Sequence, residues 1–287
     1  MPRTTTFDQL RDRIQDVARD ANATALAVGL YDTATGAAFA HEEDRWFHAA
    51  STIKVPILIG VFGAIHRGEL RPYSRLHVRN LFHSVVDGVP FKVEYGRDAN
   101  SEVHRNIGKT MLVRDLARHM IATSSNLATN LLLDYLGVDR VRAELEELGI
   151  AEGIDLRRGV EDERAFEQGI NNRVTARGLT NLLRAISEGR VFTPDVSKQI
   201  TEILHEQEFK GGIPAQLPPE ARVAHKTGEI STVAHDAGIV FLPDRPPYVL
   251  TVLSEWEPGA TGRQPAIASV SYAAYEHLVG SGENGDG

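Results

Sequence analysis

The chain has 287 residues, 42% of them apolar, and no low-complexity tract, which fits one large packed domain or two intimate ones. Lys and Arg number 31 against 39 Asp and Glu, a net charge of −8 with no long basic run, which argues against a nucleic-acid partner. There is no cysteine, so disulfides, cysteine nucleophiles and cysteine-ligated zinc are excluded.

Residues 1–20 hold neither the apolar core of a signal peptide nor a transmembrane run, so the expectation is a cytoplasmic protein with no membrane partner. Phe7, Leu10, Ile14 and Val17 recur at helical spacing and predict an amphipathic helix. Ala25–Tyr31 reads as a strand, Asp32–Gly36 as a turn and Ala37–Ala40 as the return strand. Val55–Ile65 is apolar on every side, which predicts a helix at the centre of a core, with Pro56 tolerated in its first turn. Residues 71–110 read as a long irregular excursion. Met111–Thr123 and Leu127–Leu136 read as helices separated by Ser124-Ser125-Asn126.

Asp139 reads as the cap of a helix that runs to Leu148 and is ended by Gly149. Residues 150–172 have no clean period, and a loop of that length in a compact domain is often functional. Thr175 caps a helix to about Glu188, and Thr193-Pro194 opens another. From Arg222 the pattern turns to strands, Arg222–Gly228, His235–Pro243 and Tyr248–Trp256, with Asp244-Arg245-Pro246-Pro247 as the last hairpin turn. Trp46 and Trp256 read as core residues. A helix over Gln264–Val279 closes the chain, and the tail Gly280–Gly287 is expected to be disordered.

Strands at both chain ends with helices between them imply an α/β plus all-α architecture. One antiparallel sheet is built from residues 1–46 and 213–287 and flanked by the terminal helices, and residues 47–212 form an inserted all-helical lobe.

Three short motifs carry the chemistry. Ser51 and Lys54 are three apart, so on a helix they share a face. At a helix start, the hydroxyl and N–H of Ser51 meet the positive end of the dipole, and a partly buried Lys54 can take the hydroxyl proton. The competing reading makes Ser51 an N-cap and Lys54 a solvated first-turn residue. Ser124 and Asn126 sit between two helices, where a hydroxyl can pass a proton and a carboxamide can hold a substrate amide. The competing reading has Asn126 as a helix cap. Lys226-Thr227-Gly228 lies within a strand-like run, where a glycine often marks close backbone approach by a ligand. The competing reading is a polar edge strand that ends in a turn. These motifs come from the lobe and from one strand, so the site belongs in the cleft between them.

The three motifs in this order, with Ser124–Leu133 and Arg222–Gly238 around them, resemble the class A β-lactamases of the β-lactamase and penicillin-binding-protein superfamily. The resemblance spans nearly the whole chain. It implies the class A fold, an acyl-enzyme on Ser51 and hydrolysis of a small-molecule amide by water, with no cofactor or metal and a monomeric chain. Lys54 is then a base, and Ser124 relays a proton to the leaving nitrogen. Asn126 holds the substrate amide, and Lys226 and Thr227, beside Gly228, bind a carboxylate. The N–H groups of Ser51 and Glu229 form the oxyanion hole.

Three departures stand out. Ser125 occupies a position where the class A pattern has aspartate. The loop before Asn172 lacks the family's glutamate with asparagine four residues on. Among Glu161, Asp162 and Glu163, the distance from Asn172 favours Glu161 as the group that activates water, and the competing reading is a solvated acidic loop. Ala237-Gly238 falls where many relatives have arginine-glycine, which leaves Arg263 as a substitute for the carboxylate-binding arginine. Two alternatives stay open: an esterase, D-amino-acid peptidase or other amidase on the same fold, and a binding or sensor module without turnover.

Overall fold

A computed structural model describes residues 7–98 and 101–280. The expectation for the glycine-rich tail lies, from residue 281 onward, outside the described residues. Helix α1, Phe7–Asp20, buries Leu10 and Ile14 and leads to the hairpin of β1, Ala25–Asp32, and β2, Ala38–His41. A single 3-10 turn, Ala50–Ile53, runs into α2, Lys54–His66, in which every residue from Lys54 to Ala64 is buried. Around it stand α3, Val113–Ala122, α4, Asn126–Leu136, α5, Val138–Glu147, α6, Ala176–Ser187, and α7, Pro194–His205. The chain then forms β3, Arg222–Ile230, β4, Val233–Leu242, and β5, Arg245–Glu255, and closes with α8, Arg263–Gly280.

The five strands make one antiparallel sheet in the order β3-β4-β5-β1-β2, so the N-terminal hairpin is joined to the C-terminal strands through β1 and β5. Side chains alternate across it. Leu26, Val28 and Leu30 enter a core with Leu10 and Ile14 of α1 and Ile267 and Val270 of α8. Ala27, Ile239, Val249 and Leu253 enter the larger core that contains α2 and the helical lobe. Both faces are thus covered, which is why β1 and β5 are buried along almost their whole length.

The structure corrects several local expectations. Asp139 lies in the first turn of α5 and Gly137 is its N-cap residue, since Gly137 leaves the preceding helix at φ 82. Met111 and Leu112 belong to a short strand paired with Arg75 and Leu76, and α3 starts only at Val113. The last hairpin turns at Pro243 and Asp244, while Pro246 and Pro247 lie in β5. They are tolerated because the ladder shifts register between Val240 and Leu242, where a missing N–H breaks no regular pair. Trp256 is buried, but Trp46 is 43% exposed, with the Arg173 guanidinium over its ring. The excursion over 71–98 is anchored by short strand pairs, one of them Phe82–His83 with Pro90–Phe91.

Helix α6 packs on the sheet through Gly29. A Cβ there would stand 2.3 Å from Thr180 Oγ1 and 3.2 Å from the Ala176 carbonyl, and Thr180 Oγ1 donates to Thr251 Oγ1 at 2.9 Å across the same contact. Gly29→Val should therefore destabilise the protein by about 1–3 kcal/mol or more, read as a lower urea midpoint. An unchanged midpoint would show that the helix-to-sheet contact is loose.

Candidate active site

Ser51 sits in the 3-10 turn that precedes α2, at the N-terminal end of a buried helix that is apolar from Val55 to Ile65. Its placement depends on the residue before it. Ala50 adopts φ 44, a left-handed conformation uncommon for a residue with a Cβ. His235 of β4 holds the approach to that turn: its Nε2 donates to the His48 carbonyl at 2.9 Å, and its Nδ1 accepts from Ser254 N at 3.1 Å. Burial pushes the His235 pKa down to about 4, so the ring is a neutral, fixed tautomer near neutral pH. His225 is also buried and bonds to Asp236 at 2.8 Å, which makes both histidines parts of the scaffold.

Lys54 follows one turn later and is completely buried. Its Nζ donates to the Ser124 carbonyl at 2.6 Å, to Asn126 Oδ1 at 2.7 Å and to Ser124 Oγ at 3.1 Å. Among the described residues no hydrogen bond joins it to Ser51 Oγ. Burial lowers the Lys54 pKa to about 7, against the opposing pull of Asp98 and Glu161. An amine titrating there is available as a base at neutral pH.

Ser124-Ser125-Asn126 forms the turn between α3 and α4. Ser124 is the second strained residue of the site, at φ 58. Ser125, rather than Asn126, is the N-cap of α4, with its hydroxyl accepting from Ala128 N. Asn126 is thereby free to use its side chain inward. Its Oδ1 meets Lys54, and its Nδ2 donates to Glu161 Oε1 at 2.7 Å.

The loop over 150–172 is tied down at several points. Asn172 accepts from the backbone N–H groups of Arg157 and Arg158 and donates to the Arg158 carbonyl. Arg158 in turn donates to the Ile170 carbonyl and to Asn171. Asn130 of α4 pairs with both backbone groups of Val160, at 2.8 and 2.9 Å. These clamps present Glu161, the third strained residue at φ 59, with its second oxygen accepting from Glu94 N at 2.9 Å. The three acidic candidates thereby separate. Asp162 is buried as the cap of a short helix, Glu163–Glu167, and also accepts from Ser84 and Val85. Glu163 is exposed and paired with Arg97. Only Glu161 of the three bonds to a motif residue.

From the other wall, β3 brings Lys226, Thr227, Gly228 and Glu229 against Ser51. A Cβ on Gly228 would lie 3.1 Å from both Ser51 N and Thr52 N, so the strand's close approach is to the turn that carries Ser51. Lys226 is buried, with Nζ donating to the Thr227 carbonyl at 2.8 Å. Its pKa is pushed well below the ordinary lysine value by burial and then by neighbouring Lys54. A bound carboxylate would favour its charged form. Arg263 pairs with Glu229 and donates to the Ile230 and Ser231 carbonyls, and Gln264 also bonds Glu229, so Arg263 stands at the rim of the cleft.

Two cavities flank Ser51. One of 560 Å³ is lined by Ser51, Ser124, Asn126, Thr227 and Glu229, and one of 370 Å³ by Ser51, Asn126, Glu161 and Glu229. A third of 530 Å³, between the two terminal helices and the last hairpin, contains none of the motif residues. Asp98, Asn130, Arg158 and Asn172 hold the site together yet were not singled out as site residues from sequence. Nothing in their local spacing marks them, because their partners lie far away along the chain.

A family model described as "Beta-lactamase enzyme family" matches residues 9–278. The chain is 26% identical over 233 residues to beta-lactamase ROB-1 of Haemophilus influenzae, covering 80% of this chain and 71% of that protein. A solved beta-lactamase of Sphaerobacter thermophilus is 25% identical with a TM-score of 0.80, covering 94% of this chain and 97% of that one. A solved protein named PBP-A is likewise 25% identical, with a TM-score of 0.81 over 95% and 96% of the two chains.

The contact at Gly228 leaves no room for a larger residue. Gly228→Val should slow reaction of Ser51 with a serine-directed acylating reagent about tenfold or more, by moving backbone that the nucleophile rests on. An undiminished labelling rate by intact-protein mass spectrometry would show that this approach is dispensable.

Proposed function

The chain belongs to the β-lactamase enzyme family, a serine hydrolase of the class A β-lactamase type, and on that premise we propose that it opens β-lactam rings through an acyl-enzyme on Ser51. The observation that carries this reading is the linked set Glu161–Asn126–Lys54–Ser124. There a fully buried amine, with a pKa of about 7, is held beside the second serine and joined through one carboxamide to a carboxylate.

The steps follow from the chemistry of those groups. Neutral Lys54 takes the proton of Ser51 Oγ, directly or through water, as Oγ bonds to the carbonyl carbon of the ring amide. The oxyanion that forms is met by the N–H groups of Ser51 and Glu229, which belong to the two segments brought together where Gly228 of β3 approaches the turn. Collapse breaks the C–N bond, and Ser124 gives its hydroxyl proton to the ring nitrogen while taking the proton that Lys54 gained, along the hydrogen bond between them, so that Lys54 is neutral again. Asn126 holds the amide of the substrate's side chain. Lys226 and Thr227, beside Gly228, receive its carboxylate, and the anion restores the charge that burial disfavours on Lys226. Glu161 then takes a proton from water as that water attacks the ester carbon, and that proton passes to Ser51 Oγ as the ester C–O bond breaks, which releases the acid and restores Ser51 and Glu161. The occupant of the site is a small molecule, and the working unit we propose is a single chain. Among the described residues no helix is long and apolar enough to cross a membrane.

Incubation with a penicillin should add the mass of one intact penicillin to the wild-type protein and none to Ser51→Ala. Absence of any adduct, together with no turnover of a chromogenic cephalosporin, would sink the proposal. The Lys54 amine is protonated below its pKa of about 7 and neutral above it, so acylation should accelerate as pH rises through about 7 and level off beyond. A rate flat between pH 6 and 8, the range centred on that value, would remove Lys54 as the base.

Glu161→Gln should leave acylation largely intact while the adduct persists, because a carboxamide cannot take the proton of water. Turnover equal to wild type would reject Glu161 and direct attention to another deacylating group.

A further inference from the structure

Helix α4 begins at a demanding place. Its first amides lie at a buried turn, and a helix start leaves such N–H groups without intrahelical partners. Ser125 Oγ accepts from the amide of Ala128, at 3.2 Å, which leaves those of Asn126 and Leu127 to be met by another group. Both of those go to one side chain from outside the motif. Asp98 Oδ1 accepts from Asn126 N at 3.0 Å, and Oδ2 accepts from Leu127 N at 3.1 Å and from Ser125 Oγ at 2.9 Å. Asp98 is 8% exposed, and with three donors on its two oxygens it acts as an acceptor only. A carboxylate at a helix N-terminus is also favoured by the dipole.

The turn so held carries the three hydrogen-bond acceptors that Lys54 has among the described residues: the Ser124 carbonyl, Ser124 Oγ and Asn126 Oδ1. It includes the strained φ of Ser124, a conformation that persists only where its surroundings over-determine it. We propose that Asp98 is the positioning carboxylate of the Ser124-Ser125-Asn126 motif, supplied by the 71–98 segment in place of the aspartate that class A chains carry at the position of Ser125. This rests on the acyl-enzyme reading of Ser51. The carboxylate that holds the motif therefore arrives from a different element. The charged groups facing Lys54 are Asp98, Glu161 and Lys226. His104 Nε2 stands 3.2 Å from Asp98 Oδ2, and Arg97, the residue before it in the chain, is engaged by Glu94 and Glu163.

The test compares wild type, Asp98→Asn, Asp98→Ala and the double variant Asp98→Ala/Ser125→Asp. Acylation by a penicillin is followed across pH by intact mass. In parallel, the Lys54 amine is titrated by NMR with 13Cε-labelled lysine, its signal identified with Lys54→Met. Asp98→Ala should slow acylation roughly 10-fold to 100-fold by loosening the turn. In both single variants the Lys54 midpoint should fall by about one pH unit, because a negative neighbour that favours the ammonium is lost. The double variant should recover both rate and midpoint by returning the carboxylate to the motif. A wild-type rate and midpoint in Asp98→Ala would overturn the proposal. So would a folded double variant, judged by its melting transition, that recovers neither. Asp98→Asn, which keeps the shape of the side chain, serves where Asp98→Ala does not fold. If wild type forms no adduct, the acyl-enzyme reading fails, and the Lys54 titration still decides the place of Asp98.

Discussion

The structure is organised around one ammonium group taken out of water. Lys54 stands at the head of α2, a helix with apolar neighbours on every side, and its side chain has no access to solvent. A charge so placed is costly unless oxygens surround it, and the protein supplies three from a single turn. The three acceptors match the three N–H donors of the ammonium, and none of them carries a charge. Enough acceptors are present to keep the amine in place, while burial still brings its pKa down to about 7. A better-compensated lysine would stay charged and could not act as a base.

That compromise explains where the backbone is strained. Six non-glycine residues among those described have positive φ, and three of them, Ala50, Ser124 and Glu161, are the residue before Ser51, the first serine of Ser124-Ser125-Asn126 and the loop carboxylate. Such conformations cost on the order of 1–3 kcal/mol each and last only under outside constraint. Each has its own constraint. His235 fixes the approach to Ala50, Asp98 gathers the start of α4 beside Ser124, and Asn130 with Asn172 secures the loop around Glu161. The sheet and the large apolar core supply the rigidity against which these polar clamps work.

Much of this was legible from the chain. The all-apolar run over Val55–Ile65 pointed to a central helix, because no amphipathic face was available for solvent, and α2 is buried through Ala64. Thr175 and Thr193 marked two helix starts, since a hydroxyl before a periodic run accepts from the helix's own amide. The cap at Asn126 and the one at Asp139 were misplaced by a residue or two, as neighbouring polar residues compete for one role and only the backbone geometry chooses between them. In the acidic triplet over 161–163, three carboxylates in a row look alike in sequence. Their separation into a cleft-facing, a capping and a surface residue depends on the φ of Glu161 and on the pairing of Val160 with Asn130.

What the sequence determined by itself is the kit of reactive groups and the order of elements that delivers them. Spacing along a helix or strand is a local property, so Ser51 with Lys54, and Lys226 with Gly228, were readable from their neighbours alone. What only the tertiary structure decided is which distant groups complete that kit. Asp98 reaches Ser125 across 27 positions of chain and Asn130 reaches Val160 across 30. The depressed pKa of Lys54 comes from its burial beneath elements distant in the chain. Contacts of that kind depend on how elements close over one another, and burial that sets a proton affinity is a property of the whole core.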